Sequence, residues 1–419
     1  GLPGGWIADR LLGGQNAVWY GGLIIMIGHI VLAIPSDSTF FVGLVLVVLG
    51  TGLLKPNIAA MVGNLYGSED ERRDSGFAIY YMGINLGSLI GNFVCGYLAV
   101  NQGWHWAFGA AAIGMALGLI QYRFTLYKLE GTSAGPTDPL SKKAQKMSWI
   151  TIAGFLVTLS IVTFMTINGS IVIDPIVVAQ YTAILFTLIF FCYFGYIFFF
   201  GDLNGNEKKS MMALLLICIA SAFFWSGFEQ AGSTLNLFAR DYTDRIISGF
   251  EIPTSWFQAT NSFFIILLTP FFAALWINLG RRTMTPSSGL KCAMGLIIMA
   301  SGFIVMFFAA QIAADGLKVA PYWLIMTYFL HTVGELCLSP IALSAVSKLS
   351  PRRFAGQLMG VFVLTYSIGN IISGLLAGSF DPENVAEMPG LYLQISMISI
   401  GVGAVILLLA LKTRPWEHL

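Results

Sequence analysis

The sequence predicts an all-α protein that crosses a membrane many times, and three observations carry that reading. Of its 419 residues 56% are hydrophobic and only 10% charged, against roughly a quarter charged in an ordinary soluble domain. Uncharged runs recur at a length near the ~20 residues that one membrane-spanning helix needs. The basic residues gather in alternate loops, as they do when one side of a membrane is cytoplasmic. Lipid offers no partner to an exposed backbone group, so the spans must be helices with internally bonded backbones.

The chain opens on GLPGGWIADR, with no initiator Met, signal peptide or polar leader. It is read as the end of one helix, with the first helix of the fold missing. Twelve apolar runs follow, at 16–35, 39–66, 76–101, 104–127, 147–168, 175–200, 210–239, 252–279, 287–313, 319–347, 354–380 and 388–411. With the loop after residue 12 labelled inside, seventeen of the 22 basic residues fall on inside loops or the C-terminus. They include Arg10, Arg72, Arg73, Lys142, Lys143, Lys208, Arg282, Arg352, Arg353 and Lys412. The outside loops hold Arg240, Arg245 and Lys318, which places the C-terminus in the cytoplasm. The stretch 128–146, KLEGTSAGPTDPLSKKAQK, is read from its Gly, Pro, Ser and Lys content as a flexible linker.

The resulting domain plan has an incomplete N-terminal bundle at 1–127 and the linker at 128–146. Two inserted helices follow at 147–207, then a C-terminal six-helix bundle at 208–419. Matching features support two similar halves. WIADRLLGG (6–14) and LWINLGRRT (275–283) each end a helix in a basic turn; KPN (55–57) and SPI (339–341) each place a helix-breaking proline. A glycine-rich helix follows in each half, and Gly83, Gly87 and Gly91 share one face of the first. Small residues at that spacing are expected to let helices pack closely. Cys95, Cys192, Cys218, Cys292 and Cys337 lie in apolar runs without paired spacing, so neither disulfide nor metal site is expected. The sequon at Asn168 is read as accidental, and a net charge of +1 gives no sign of nucleic-acid binding.

Three ionisable residues sit well inside spans: Lys55, Glu229 and Glu335. A charge at the centre of a span costs about 2.5–3.5 kcal/mol on insertion scales and usually faces a bundle interior or a wet cavity. One reading is a buried ion pair, Lys55 with Glu335, that only fixes packing. The other is a polar cavity for a ligand bearing both charges, where desolvation raises a carboxylate's proton affinity into a useful range. Polar and aromatic companions favour the cavity. Tyr80, Tyr81 and Asn85 cluster in YYMGIN; Trp225 stands one turn before Glu229; Asn261 interrupts an apolar run. His331 stands one turn before Glu335, within reach of a hydrogen bond to it.

At these residues the chain resembles the proton-coupled oligopeptide transporters, a branch of the major facilitator superfamily. The matching stretches are GGWIADRLLG (4–13), GTGLLKPNIAAMVGNLY (50–66), FAIYYMGINLGSL (77–89), FWSGFEQAGSTLNLFA (224–239) and GELCLSP (334–340). The resemblance implies a major facilitator fold, two six-helix bundles plus the two inserted helices of bacterial members. It implies symport of di- and tripeptides with protons, by alternating access, across a bacterial inner membrane. On it, Lys55 would hold the peptide carboxylate and Glu335 the amino group. Tyr81, Asn85 and Asn261 would bond the peptide backbone. Trp225 would line a side-chain pocket with Ser339 nearby, and Phe362 would stand where many relatives carry Trp. Glu229 would be a coupling carboxylate alongside Lys55 and Glu335. The partners implied are peptide, protons and the bilayer, with no obligate protein partner, no nucleic acid, and no cofactor beyond the coupling proton.

Two alternatives remain at this level. Another major facilitator carrier, for nitrate or drugs, would share the fold. An intramembrane enzyme fits poorly, since HExxH is absent and His331 with Glu335 lacks a third metal ligand.

Overall fold

The computed structural model describes residues 2–65, 73–129, 131–172, 174–281, 286–351, 354–378 and 385–415. Arg72, Arg282, Arg352 and Arg353 of the basic loops lie outside the described residues, as does Tyr66. Helices dominate, and twelve are long and apolar enough to cross a membrane, so the protein is a multi-pass membrane protein. The chain divides into two compact units, Gly1–Ile173 and Asp174–Leu419, described here in turn.

In the first unit, α1 (Leu2–Ile7) runs into a five-residue π-helical turn, Ala8–Leu12, closed by Gly13 at φ 78°. Then come α2 (Gly14–Leu32), α3 (Asp37–Asn64), α4 (Arg73–Asn101), α5 (Trp104–Thr125) and α6 (Lys142–Ile167). The helices α2 and α3 press backbone to backbone. A Cβ on Gly21 would stand 2.9 Å from the carbonyl of Gly50, and one on Gly43 the same distance from that of Gly28. Gly83, Gly87 and Gly91, expected to pack closely, have nothing within 4 Å of an added Cβ among the described residues. A small-residue stripe permits close approach without causing it; close approach arises where two helices present small residues at one level.

Pro56 does not break its helix, contrary to expectation: α3 continues through it. The Asn57 side chain beside it donates to Leu53 O at 2.6 Å and to Gly4 O at 3.1 Å. That amide ties α1 to the stretch where proline has removed a backbone donor.

The linker is a second correction. It is ordered against the basic turn after α1. Arg10 pairs with Asp138 at 2.7 Å, Thr137 Oγ1 donates to Asp9 Oδ1 at 3.2 Å, and Asp138 N donates to Asp9 O at 3.0 Å. Gln15 binds the same loop through its backbone N, to Ser133 O, and its side chain, to Thr132 O. Composition described a loop able to be flexible; the partners that order it lie far away in sequence.

The second unit holds α7 (Pro175–Phe200), α8 (Gly205–Phe228), α9 (Thr234–Asp241), α10 (Thr254–Arg281), α11 (Ser288–Ala314), α12 (Tyr322–Leu349), α13 (Ala355–Gly378) and α14 (Met388–Thr413). Asn204 and Glu207 form a reciprocal capping box at the start of α8. The run read as one helix at 210–239 is split: a 3-10 turn, Glu229–Gly232, separates α8 from α9. Gln230, fully buried, fills the split by donating to Ser373 O at 3.2 Å and accepting from Thr234 Oγ1 at 2.8 Å. Pro340, like Pro56, lies inside a continuous helix. One departure from all-α structure is a small antiparallel pair, Ile246–Ile247 with Phe250–Glu251, turned by Ser248 and Gly249 at positive φ.

The core of this unit is formed largely by α8, α11, α12, α13 and α14. Gly295 on α11 and Gly334 on α12 face each other, each Cβ position 2.6 Å from the other's carbonyl oxygen. Glu335, next in sequence, is held in register by that contact.

Candidate functional site

In the second unit, α8, α10, α12 and α13 bring together most of the residues that the sequence singled out. Glu335 is 8% exposed, near the middle of α12. Asn261 on α10 divides its amide between Glu335 Oε2 at 3.1 Å and Thr332 Oγ1 at 3.0 Å. Thr332 in turn donates to Tyr328 O at 2.7 Å, so its hydroxyl is an acceptor fixed toward Asn261. This chain of donors orients the carboxylate, and hydrogen bonds to a charged group are about twice as strong as neutral ones.

Trp225, Phe362 and Tyr366 form an aromatic wall on α8 and α13. The Trp225 and Tyr366 rings are 4.7 Å apart, and those of Phe362 and Tyr366 5.4 Å. Gly369 permits that closeness, since a Cβ there would stand 2.6 Å from Trp225 Cβ. Trp225 Nε1 and Ser339 Oγ are buried without a hydrogen-bond partner among the described residues. Sequence reasoning missed Thr332 and Tyr366; the signal for Tyr366 was its place one turn after Phe362.

The expected bond between His331 and Glu335 is not formed. Neither His331 nitrogen has a hydrogen-bond partner among the described residues, and the ring lies 4.9 Å from Phe303 and 6.3 Å from Phe228, in space left by Gly302. The helical spacing was right, but the imidazole turns into the aromatic core. Glu229 sits at the junction of α8 and its 3-10 turn, half-buried.

In the first unit, Lys55 is exposed about two-thirds of the way along α3, one residue before Pro56. On α4, Tyr81 is 38% exposed, whereas Asn85 is buried with its amide donated to Tyr81 O at 3.0 Å.

The many spans make this a membrane protein of the multi-pass class, and its relatives define it further. Residues 15–390 match the family described as PTR2, the POT family. The chain is 39% identical to the peptide transporter YePEPT of Yersinia enterocolitica subsp. palearctica, over 99% of this chain and 83% of that one. It is 32% identical to the di-/tripeptide transporter of Lactococcus lactis subsp. cremoris, over 97% and 82%. The crystal structure of the peptide transporter POT in complex with sulfate superposes with a TM-score of 0.90 at 35% identity, covering 99% of this chain and 83% of that one. A POT family transporter in complex with 5-aminolevulinic acid gives 0.88 at 30%, covering 98% and 84%. The chain belongs to the POT family and has its fold.

Proposed function

We propose that the chain imports di- and tripeptides together with protons across a bacterial inner membrane, by alternating access. The observation that carries this is the Glu335 carboxylate, oriented by Asn261 and bordered by the Trp225–Tyr366–Phe362 wall. A fixed anion beside an apolar pocket suits a peptide's ammonium terminus and its neighbouring side chain. Lys55 supplies the opposite sign for the peptide carboxylate, and Tyr81, Asn85 and Asn261 supply hydrogen bonds to the backbone between. The curated relatives named as peptide transporters support the substrate class. The relative bound to 5-aminolevulinic acid holds a ligand with an amine and a carboxylate but no peptide bond. That agrees with recognition built chiefly on the two terminal charges.

In this reading, Lys55 and Glu335 bind the peptide's terminal charges, while proton uptake and loss at Glu229 and Glu335 drives the cycle in one direction. The C-terminus lies in the cytoplasm. The test is uptake of labelled dipeptide into proteoliposomes of the whole protein, with and without an inward proton gradient. Gradient-dependent accumulation that other di- and tripeptides block is the expected result. Lys55→Ala should abolish gradient-driven uptake; full uptake by a folded Lys55→Ala protein would sink the assignment.

A further inference from the structure

We propose that α7 is a brace for the substrate pocket and that Tyr193 on it is a positioning residue. Through Gln357, Tyr193 fixes the first turns of α13, and with them the wall formed by Phe362 and Tyr366. The inference deepens the peptide-carrier reading and rests on it for the identity of the ligand. Both helices belong to the second unit.

α7 carries no charge, and it buries one stripe of its surface. Phe190, Phe194 and Ile197 recur at helical spacing and are buried, and Tyr193 shares their face. Tyr193 Oη donates to Gln357 Oε1 of α13 at 2.6 Å. About two turns further along the same stripe, Gly201 lets the Phe354 ring approach. A Cβ on Gly201 would stand 3.1 Å from Phe354 Cε2. Phe354 and Gln357 are three residues apart, so one face at the start of α13 meets α7 at two levels.

Gln357 is exposed at the start of a span, where lipid offers an amide no partner. Between membrane helices no hydrophobic force acts, so packing and hydrogen bonds decide how they sit. Apolar side chains alone would let α13 roll or slide on α7; a bond between two particular atoms selects one register. Phe362 and Tyr366 lie about 140° and about 180° round α13 from Gln357, and about 7.5 and 13.5 Å along it. α7 therefore holds α13 from the side opposite the wall. The bonds from α13 to α8 come later in the helix. One of 3.1 Å joins Thr365 Oγ1 and Ser221 Oγ, and Gln230 Nε2 donates to Ser373 O at 3.2 Å. Phe362 thus lies between an anchor on α7 and an anchor on α8.

The experiment places a ring-fluorinated tyrosine at position 366 of the whole protein and records its fluorine resonance in lipid nanodiscs without ligand. Tyr193→Phe, which removes only the hydroxyl, should shift or broaden that resonance. Gln357→Leu should do the same, and the double variant should match either single one, because both lose one bond. In proteoliposomes each variant should raise KM for a dipeptide with an aromatic side chain about threefold, the factor that the ~0.6 kcal/mol of an average interhelical bond gives. Vmax should stay at the wild-type value. An unmoved resonance in Tyr193→Phe, or a loss confined to Vmax, would overturn the proposal. A resonance moved by Tyr193→Phe in a protein that takes up no dipeptide would support the brace and defeat the peptide reading.

Discussion

Asn261 shows what one side chain contributes. Its amide has two hydrogens, and the structure spends one on Thr332 and one on Glu335. Removing it takes a hydrogen bond from a buried carboxylate, a loss worth about 1.5–3 kcal/mol. Asn261→Ala should therefore raise KM for dipeptide roughly tenfold or more, measured as initial uptake rates in proteoliposomes, with the protein still eluting as a single species. An unaltered KM would remove Asn261 from the site. At the same scale Asn85 and His331 show the limits of spacing. Each stood at a helical distance from a plausible partner, yet Asn85 turned its amide to its own helix and His331 its ring to Phe303.

Helices in this protein meet closely only at particular glycines, and that separates two kinds of glycine alike in sequence. Gly334→Ala would set a methyl 2.6 Å from the Gly295 carbonyl, in a backbone contact that cannot give way cheaply. Overpacking of that kind typically costs about 1–3 kcal/mol and should lower the melting midpoint in detergent. Gly87→Ala on α4 meets nothing among the described residues, and alanine favours a helix over glycine by up to ~1 kcal/mol. It should leave the midpoint unchanged or raise it. Fluorescence-monitored size exclusion after heating measures both, and the reverse order would discredit the contact geometry. The ordered linker is also a matter of elements. An exposed ion pair such as Arg10–Asp138 is worth only ~0–1 kcal/mol, but it acts with the Thr137 bond and two backbone bonds on the same turn. Thr137→Ala with Asp138→Ala should free the loop, and trypsin should then cut faster at Lys142 or Lys143. Cleavage at the wild-type rate would mean that the backbone bonds alone hold it.

Across the whole molecule the asymmetry of basic residues predicts an orientation. A reporter fused after Arg414 that is active only in the cytoplasm should be active, and one placed at 317, beside Lys318, inactive. The opposite pattern would invert the topology.

The sequence by itself determined the number of spans, their helical nature and the position of the intramembrane charges. Those follow from composition along the chain, because lipid allows little besides a helix and makes every buried charge conspicuous. It also supplied the residues of the carboxylate site, through the motifs shared with a family. Only the tertiary structure decided which polar groups meet. It continued α3 and α12 through their prolines, and beside Pro56 the Asn57 amide ties α3 to α1. It split α8 from α9 at Glu229, with Gln230 donating to Ser226 O and to Ser373 O of α13. It ordered the loop before α6 against Asp9 and Arg10, and it recruited Thr332 and Tyr366 to Glu335 and the aromatic wall. Such pairings join residues far apart in the chain, so no local spacing encodes them; they are settled by which faces of neighbouring helices come to the same level.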